Sequence, residues 1–414
     1  MKTHYFKMRL LGTAVLLAGA LTGCSSSADE PKTPAEPIAL SRAEAEVLET
    51  QSDFALSFLK SVSAKNPGVN VGFSPVCLQQ ALSMLGNGVA DPDRAAYAQA
   101  LGLPDVADLN ALNVRLNESL PMRDPEHVSV SIANGLWLNQ VFSFNPGFVG
   151  IMRDSYKSES DSYDFGAVNI ADIANKWIAG KTRNGIRNLL PSSYNRNREV
   201  IFILANALHF NGKWNTPFEV SETKPCTFTD SYGQNGKEVT TMHGSQSIGY
   251  IGYENYSMSS LSFGQGMYRM LVILPDEGTT PDEVLSGLTA SRLKDGLSKM
   301  RTVKSEIYLP KFEMTAQGEV VESIEEAGLP LNKFSYAGLC ENVDVITAFH
   351  GFSIRIDEKG AEIKASAAMS GMCSAVFDTP GPELRINRPF IFAVYEGSSD
   401  AILGMGIIND PGDN

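Results

Sequence analysis

The sequence of 414 residues has few of the residues that build metal and redox sites. It contains five cysteines and five histidines, and none of them stand at the spacing of a Cys-x-x-Cys, His-x-x-x-His or His-Glu-x-x-His motif. We therefore expect no metal and no cofactor. The Gly-x-Ser-x-Gly turn of hydrolases and the Walker-type phosphate loop are absent as well. These absences predict a protein that is not an enzyme.

Positive charge is also scarce. The chain has 34 Lys and Arg residues against 47 Asp and Glu residues, for a formal net charge of −13. A surface of this sign repels the phosphate backbone, so we expect no nucleic-acid partner.

Long apolar runs are missing except at the N-terminus. Residues 10–21 are apolar and follow Lys2, Lys7 and Arg9, which is typical of a signal peptide and too short for a membrane span. The sequence Leu-Thr-Gly-Cys at 21–24 resembles a bacterial lipobox, in which the cysteine becomes the acylated first residue. We predict a signal peptide over 1–23 that is cleaved before Cys24, a lipid on Cys24, and a flexible tether over 24–38. The expected location is the outer membrane or cell surface of a Gram-negative bacterium.

Periodicity predicts helices first and strands later. Helical spacing covers 39–64, with Ser41 as N-cap and Glu44 completing a capping box. Further helices are predicted over 76–85, after Ser74, and over 171–190, 281–300 and 315–327. Strand patterns dominate from residue 200 onward. This order predicts an α+β fold with antiparallel or mixed sheets, in a single domain over 39–411.

A series of short motifs between residues 70 and 411 resembles the serpin family. Each motif is weak alone, but they occur in the family's order: Asn-Val-Gly-Phe-Ser-Pro at 70–75, Ala-Asn-Gly-Leu-Trp at 133–137, Thr-Arg-Asn-Gly-Ile at 182–186, Asn-Ala-Leu-His-Phe-Asn-Gly-Lys-Trp at 206–214, Leu-Pro-Lys-Phe at 309–312, Asp-Glu-Lys-Gly at 357–360 and Asn-Arg-Pro-Phe at 387–390. The resemblance implies three β-sheets, about nine helices and an exposed reactive-centre loop over about 358–384.

The resemblance also implies a mechanism. A target protease attacks one bond of the loop and forms an acyl-enzyme, and the cut loop then inserts as a new strand into the main sheet. The implied function is suicide inhibition of serine endopeptidases, and also of papain-like cysteine endopeptidases, by a monomer. The alternative is a non-inhibitory serpin that acts as a surface binding or structural protein.

The hinge of the loop is compatible with insertion. Gly360 and Ala361 are small, and alternate residues from Ala361 onward are apolar, as a half-buried strand requires. We expect the Ala361 side chain to stay largely outside the sheet until the loop is cut. The alternation leaves open whether Ile363 and Lys364 impair insertion. The hinge implied by the resemblance comprises Glu358, Gly360, Ala361, Glu362, Ile363 and Ala365.

Family spacing from Glu358 places the attacked bond between Ser374 and Ala375, with Met372, Cys373 and Phe377 as alternatives. No Lys or Arg occurs between Lys364 and Arg385. A trypsin-like protease needs a cation for its acidic pocket, so this class is disfavoured. Elastase-like, chymotrypsin-like and subtilisin-like proteases are favoured.

The resemblance assigns five residues to the regions that control opening of the main sheet, called the shutter and the breach: Ser74, Cys77, Asn206, Trp214 and His350. It implies a buried His350 paired with Asn206, and Cys77 stands where the family usually has serine. Heparin binding is not expected, because residues 105–126 hold only Arg115 and Arg123 against five acidic residues.

The lipobox generates a first prediction. Replacing Cys24 by Ser removes the acceptor of the lipid, so the variant should remain unprocessed or become soluble, with inhibition intact. Membrane fractionation measures this. Membrane association of the processed Cys24→Ser protein at the wild-type level would contradict the lipid anchor.

Overall fold

A computed structural model of the chain describes residues 36–341, 343, 345–362 and 379–412. Cys24, the hinge residues Ile363 and Ala365, and the reactive-bond candidates at 372–377 lie outside these ranges. Ile38, the last residue of the predicted tether, is buried, and its backbone N–H donates to Ser398 Oγ at 2.9 Å.

Nine α-helices occur in the described ranges, and the first two begin at the predicted caps. Ser41 and Glu44 form the expected capping box, and Ser74 accepts a hydrogen bond from the Cys77 backbone N–H. The helices are Arg42–Lys65 (α1), Pro75–Gly86 (α2), Asp93–Ala100 (α3), Val106–Ser119 (α4), Pro146–Asp154 (α5), Ile170–Lys181 (α6), Pro281–Ser286 (α7), Ala290–Lys299 (α8) and Val321–Glu326 (α9).

Sixteen strands complete the α+β architecture of this part of the chain. They are Val71–Phe73 (β1), Val128–Asn139 (β2), Glu159–Tyr163 (β3), Phe202–Lys213 (β4), Lys224–Phe228 (β5), Lys237–Gly252 (β6), Tyr256–Phe263 (β7), Tyr268–Pro275 (β8), Arg301–Pro310 (β9), Phe312–Glu319 (β10), Phe349–Asp357 (β11), Gly360–Glu362 (β12), Thr379–Pro380 (β13), Leu384–Arg385 (β14), Phe390–Glu396 (β15) and Ile402–Ile408 (β16).

The strands form one sheet of six and one of ten. The six-stranded sheet, called the main sheet below, has the order β10-β11-β12-β4-β2-β3. The other runs β1-β16-β15-β8-β7-β6-β9-β13, with β14 also on β9 and β5 on β6. Hydrogen bonding thus joins strands that the resemblance divides between two sheets, because β6 runs unbroken from its pairing with β9 to its pairing with β7.

The largest apolar core lies between the main sheet and the β1–β16–β15–β8 part of the ten-stranded sheet. Phe312 meets Phe390 edge-on across this layer, and Phe352 stacks on Phe392. A Cβ at Gly404 would lie 2.7 Å from the Phe352 ring, so the close approach of the sheets requires glycine there.

Several predicted helix boundaries are wrong. Helix α6 ends at Lys181 rather than at residue 190, because Arg183 and Asn184 adopt left-handed φ values of 48° and 65°. Residues 315–319 continue strand β10, and the predicted helix over 281–300 is interrupted at Gly287. In the described ranges, no helix has both the length and the apolar character needed to cross a bilayer.

Candidate functional site

The hinge strand β12 already lies inside the main sheet. Ala361 stands opposite Ile356 of β11 on one side and opposite Gly212 of β4 on the other. Its side chain is only 2% exposed and belongs to the apolar core. The expectation that Ala361 stays outside the sheet in the uncut chain is therefore wrong. The hinge backbone pairs with both neighbouring strands, and its methyl group packs beneath them.

Backbone geometry requires a glycine at position 360, where the chain enters the main sheet. Its φ is +153°, and a Cβ at this position would lie 2.0 Å from the backbone oxygen of Gly212. Any side chain here would push β12 away from β4. The close approach of the Gly212 backbone thus explains why residue 360 is a glycine.

The turn that precedes β12 is held by Trp214 and its neighbours. Trp214 donates from Nε1 to the Asp357 carbonyl at 2.8 Å and from its backbone N–H to the Lys359 carbonyl at 2.9 Å. Its ring stacks on Phe263 at a centroid distance of 4.4 Å. The structure thus brings the predicted breach residue Trp214 directly against the hinge.

Lys311 adds an ion pair to this turn. Its Nζ donates to both carboxylate oxygens of Glu358, at 2.9 and 3.1 Å. Burial opposes ionisation of Glu358, but the hydrogen bonds, chiefly from Lys311, hold the pKa of its carboxyl below the usual value. Glu358 therefore remains ionised, and its ion pair with Lys311 fixes the start of the hinge.

Beyond β12, strands β4 and β11 are not joined to each other in the described part of the chain, although β12 pairs with both at one end. Two small cavities follow the line between these strands and share Leu208, Phe352 and Ser353 in their walls. The first is bounded by Ala361 and the second by Cys77, so the opening runs from the hinge to the predicted shutter.

The shutter residues lie at the far end of this opening. Ser74 and Cys77 line the second cavity, and the Ser74 backbone N–H donates to His350 Nε2 at 3.1 Å. Burial raises the pKa of the Cys77 thiol to about 12, so this thiol is held in its unreactive protonated form.

Asn206 does not pair with His350, contrary to the expectation. It donates instead to Gln80 Oε1 at 3.1 Å and to Asn134 Oδ1 at 2.5 Å. Asn134 in turn donates to the Tyr156 carbonyl at 2.9 Å. This polar network ties β4 and β2 to α2. Sequence reasoning missed Gln80, since a single polar residue in an amphipathic helix gives no sign of its partner.

The segment 182–190, called the strap, crosses the opening between β4 and β11. Ile186 and Leu189 approach Gly351 so closely that a Cβ there would meet them at 2.8 and 3.3 Å. His209 of β4 is 1% exposed, and neither of its ring nitrogens has a hydrogen-bond partner in the described part of the chain. The strap therefore covers the opening mainly by apolar packing.

The distal end of the predicted loop is also anchored. Strands β13 and β14 pair in parallel with β9. The Arg385 guanidinium lies 3.9 Å from the centroid of the Tyr308 ring, and the His243 ring stacks on Tyr308 at 4.4 Å. The segment 363–378 is thus tied to the main sheet at one end and to β9 at the other.

Comparison with known proteins agrees with this arrangement. The family model described as serpin (serine protease inhibitor) matches residues 49–411. The chain belongs to the serpin family.

Relatives of this serpin come from several kingdoms. It is 27% identical to Iripin-3 of Ixodes ricinus, over 83% of this chain and 90% of that protein. It is also 27% identical to an uncharacterised serpin-like protein of Thermococcus kodakarensis, over 89% and 86% of the two chains.

Solved structures show the same fold. Native tengpin, a thermophilic serpin, superposes with a TM-score of 0.77 at 25% identity, over 91% of this chain and 97% of that one. Human thyroxine-binding globulin, solved with thyroxine, gives a TM-score of 0.78 at 21% identity, over 90% and 100% of the chains. The α+β serpin fold is confirmed, with nine α-helices in the described ranges, and serpins as a family are protease inhibitors rather than enzymes.

Other chemistry finds little support in the described part of this serpin. No group of three His, Cys, Asp or Glu side chains there could hold a metal ion, and the three described cysteines Cys77, Cys226 and Cys340 are unpaired. In the region considered for heparin, Arg123 is buried against Glu396 at 2.9 Å.

The buried His209 and the half-buried His350 predict acid sensitivity. Burial lowers the pKa of His350 to about 4, and burial with the nearby Arg183 lowers the pKa of His209 to about 4, from an ordinary value of 6.5. The unfolded chain therefore binds more protons than the folded chain as the pH falls. The contribution of these two histidines to the free energy of unfolding should be complete above pH 6.5. It should decrease as the pH falls from there towards pH 4.

Urea midpoints at pH 7.5, 6.5, 5.5 and 5.0 measure this effect. A His209→Gln, His350→Gln double variant should show a flatter dependence, because neither glutamine titrates. An unchanged pH dependence in the double variant would contradict the assignment.

Proposed function

We propose that this serpin is a lipid-anchored suicide inhibitor of serine endopeptidases that traps the acyl-enzyme by inserting its cut loop between β4 and β11. One observation carries the proposal: β12 is in register with both β4 and β11, while beyond it the described residues of these two strands form no backbone pairs with each other. A strand that continues from Ala361 could therefore pair with β4 on one side and with β11 on the other.

The proposed reaction begins at the bond between Ser374 and Ala375. The protease nucleophile adds to the Ser374 carbonyl carbon, and the Ala375 amine leaves with a proton. The cut frees the N-terminal part of the loop from its anchor on β9. That part then extends β12 antiparallel to both neighbours and forms hydrogen bonds on two sides, each worth roughly 1 kcal/mol net.

Movement of the strap is the main opposing step. The inserting strand must pass beneath Ile186 and Leu189, which pack on Gly351. These contacts are apolar, and the described residues of β4 and β11 have no backbone hydrogen bonds with each other that would have to break. Insertion therefore requires the loss of packing contacts made by the strap rather than the breaking of hydrogen bonds between two strands.

The alternative is a non-inhibitory serpin. A charged, bulky or proline residue at position 360 or 361 would favour it, because such a residue opposes insertion. Here Gly360 and Ala361 favour the inhibitory function. In the same proposal, Cys24 carries the lipid that holds the protein on a Gram-negative outer membrane or cell surface, and the inhibitor acts as a monomer.

The target class is tested with a panel of proteases. Because residues 372–377 contain no cation, stable complexes should form with an elastase, a chymotrypsin or a subtilisin. Sequencing of the released C-terminal fragment should begin at Ala375, or after Met372, Cys373 or Phe377. Stoichiometric trapping of trypsin without trapping of the other three would refute this assignment.

The hinge is tested by replacing Ala361 with Arg. Because the methyl group of Ala361 is already buried, the guanidinium should displace β12 from the main sheet in the uncut chain. Insertion must then return this segment to the sheet and desolvate the charge, at a cost of several kcal/mol. About 3 kcal/mol on the inserting step slows it roughly 100-fold, so hydrolysis of the acyl-enzyme should overtake it. Because Ala361 is buried before cutting, the uncut variant should also unfold at a lower temperature.

SDS-stable complex formation and recovered protease activity measure the outcome. Ala361→Arg should be cut at the wild-type bond and release active protease. The matched control Thr379→Arg adds the same charge at an exposed position of the distal anchor and should still trap. Equal trapping by Ala361→Arg and wild type would show that insertion does not proceed from Gly360 onward.

A further inference from the structure

A buried histidine without a hydrogen-bond partner lies on β4. His209 is 1% exposed, and neither of its ring nitrogens is hydrogen-bonded within the described part of the chain. Leaving a buried polar group unpaired costs free energy in the folded state. The proposed reaction assigns no step to this ring.

The ring faces α6 and the strap. Alternate residues of a strand share a face, so His209 lies on the same side of β4 as Ile203 and Ala205. These two residues belong to an apolar cluster built with α6, whereas Phe210 belongs to the large core on the other side. Arg183 of the strap acts electrostatically on the ring, in agreement with this placement. The strap therefore covers the histidine.

The strap is hydrogen-bonded to α6 near both of its ends. The Asn184 N–H donates to the Ala179 carbonyl at 2.7 Å, and the Leu190 N–H donates to Asn175 Oδ1 at 2.9 Å. Towards the main sheet, by contrast, the strap makes apolar contacts with β11. It can therefore lift from β4 and β11 while its hydrogen bonds to α6 remain intact.

The elements around the ring supply mainly positive charge, and neither the strap, β2 nor β4 contains an Asp or Glu residue. Asp172 lies in the first turn of α6, away from the strap. The Asp357 carboxylate lies 3.6 Å from the Arg355 guanidinium, and Glu362 stands opposite Arg355 in register. A proton on the ring would thus add a positive charge beside Arg183. The charged and titratable groups of these elements are Arg183 and Arg187 of the strap, Asp172, Lys176 and Lys181 of α6, Lys213 of β4, Glu362 of β12, and His350, Arg355 and Asp357 of β11.

We infer that the strap is a pH-sensitive cover of the line between β4 and β11, with His209 as the group that senses protons. The closed strap keeps the ring away from water and beside Arg183, so the ring stays neutral. Lifting the strap hydrates the ring and moves Arg183 away from it, so the ring can bind a proton. Acid therefore favours the lifted strap. The inference concerns the uncut chain and does not depend on the proposed inhibition of proteases.

The size of the effect follows from the two environments of His209. Burial, with a smaller effect of Arg183, lowers its pKa to about 4 beneath the strap, and exposure should restore the ordinary value of 6.5. Well above pH 6.5 the ring is neutral whether the strap is closed or lifted. Below that pH the lifted state binds more protons, and the ratio of lifted to closed strap should rise about 30-fold between pH 7.5 and pH 5.0.

Thiol labelling of the uncut protein measures the lifting. Ala207 lies two residues from His209 on the same face of β4 and is 3% exposed, so a thiol placed there by Ala207→Cys should react when the strap lifts. Its labelling rate, mapped by mass spectrometry, is divided by the rate for the urea-unfolded protein at the same pH. This ratio should rise about 30-fold from pH 7.5 to pH 5.0. An unchanged ratio would overturn the inference.

Histidine variants in the same background provide the controls. The side chain introduced by His209→Gln does not titrate, so the labelling ratio should lose its pH dependence, and His209→Phe gives the same test if the glutamine variant does not fold. The matched control His350→Gln removes the histidine that accepts from the Ser74 backbone, and it should keep the full rise. Loss of the rise in His350→Gln as well would show that labelling proceeds through global unfolding and would overturn the inference.

Discussion

The two facing edges of β4 and β11 are the feature on which the rest of this protein depends. Backbone N–H and C=O groups inside a protein are normally paired, and leaving them unpaired costs free energy. Among the described residues, β12 pairs with β11 over three residues and with β4 over two, and β4 and β11 do not pair with each other. Side chains of the strap pack over this region. The folded chain therefore retains hydrogen-bonding capacity that only an additional strand can use.

Anchors at both ends keep the uncut loop from supplying that strand. Trp214 and Lys311 hold the turn before Gly360, and the pairing of β13 and β14 with β9 holds the other end. Arg385 lies over Tyr308 and adds a cation–π contact to the distal anchor. In the proposed mechanism, cutting the segment between the anchors releases one end only, which couples chemistry at a single bond to a rearrangement of the main sheet.

Local signals and ordered motifs predicted a large part of this structure. The capping box of Ser41 and Glu44 depends on residues three apart, and the serpin motifs together identified the fold. The predictions failed where the backbone conformation of individual residues or pairing with a distant strand determines the structure. The end of α6 depends on the left-handed Arg183 and Asn184, and β10 continues through residues 315–319 because β11 pairs with them.

In the candidate site, too, some features were predicted from the sequence and others were not. The motif at 357–360 predicted a hinge at this position, but the burial of Ala361 depends on its pairing with Gly212, which is distant in sequence. His350 was expected to bond Asn206, yet it accepts from the Ser74 backbone, while Asn206 joins Gln80 and Asn134. Partners of buried polar groups depend on side-chain packing in three dimensions, which no spacing along the chain encodes.

Hydrogen–deuterium exchange of the uncut and the loop-cut protein tests the central claim most directly. Before cutting, amides of β4 and β11 that face the opening should exchange faster than amides paired with β2 and β10. After cutting, the same amides should become protected, and the temperature of unfolding should rise by about 10 °C or more. Unchanged exchange in β4 and β11 after cutting, with no gain in thermal stability, would contradict insertion between these strands.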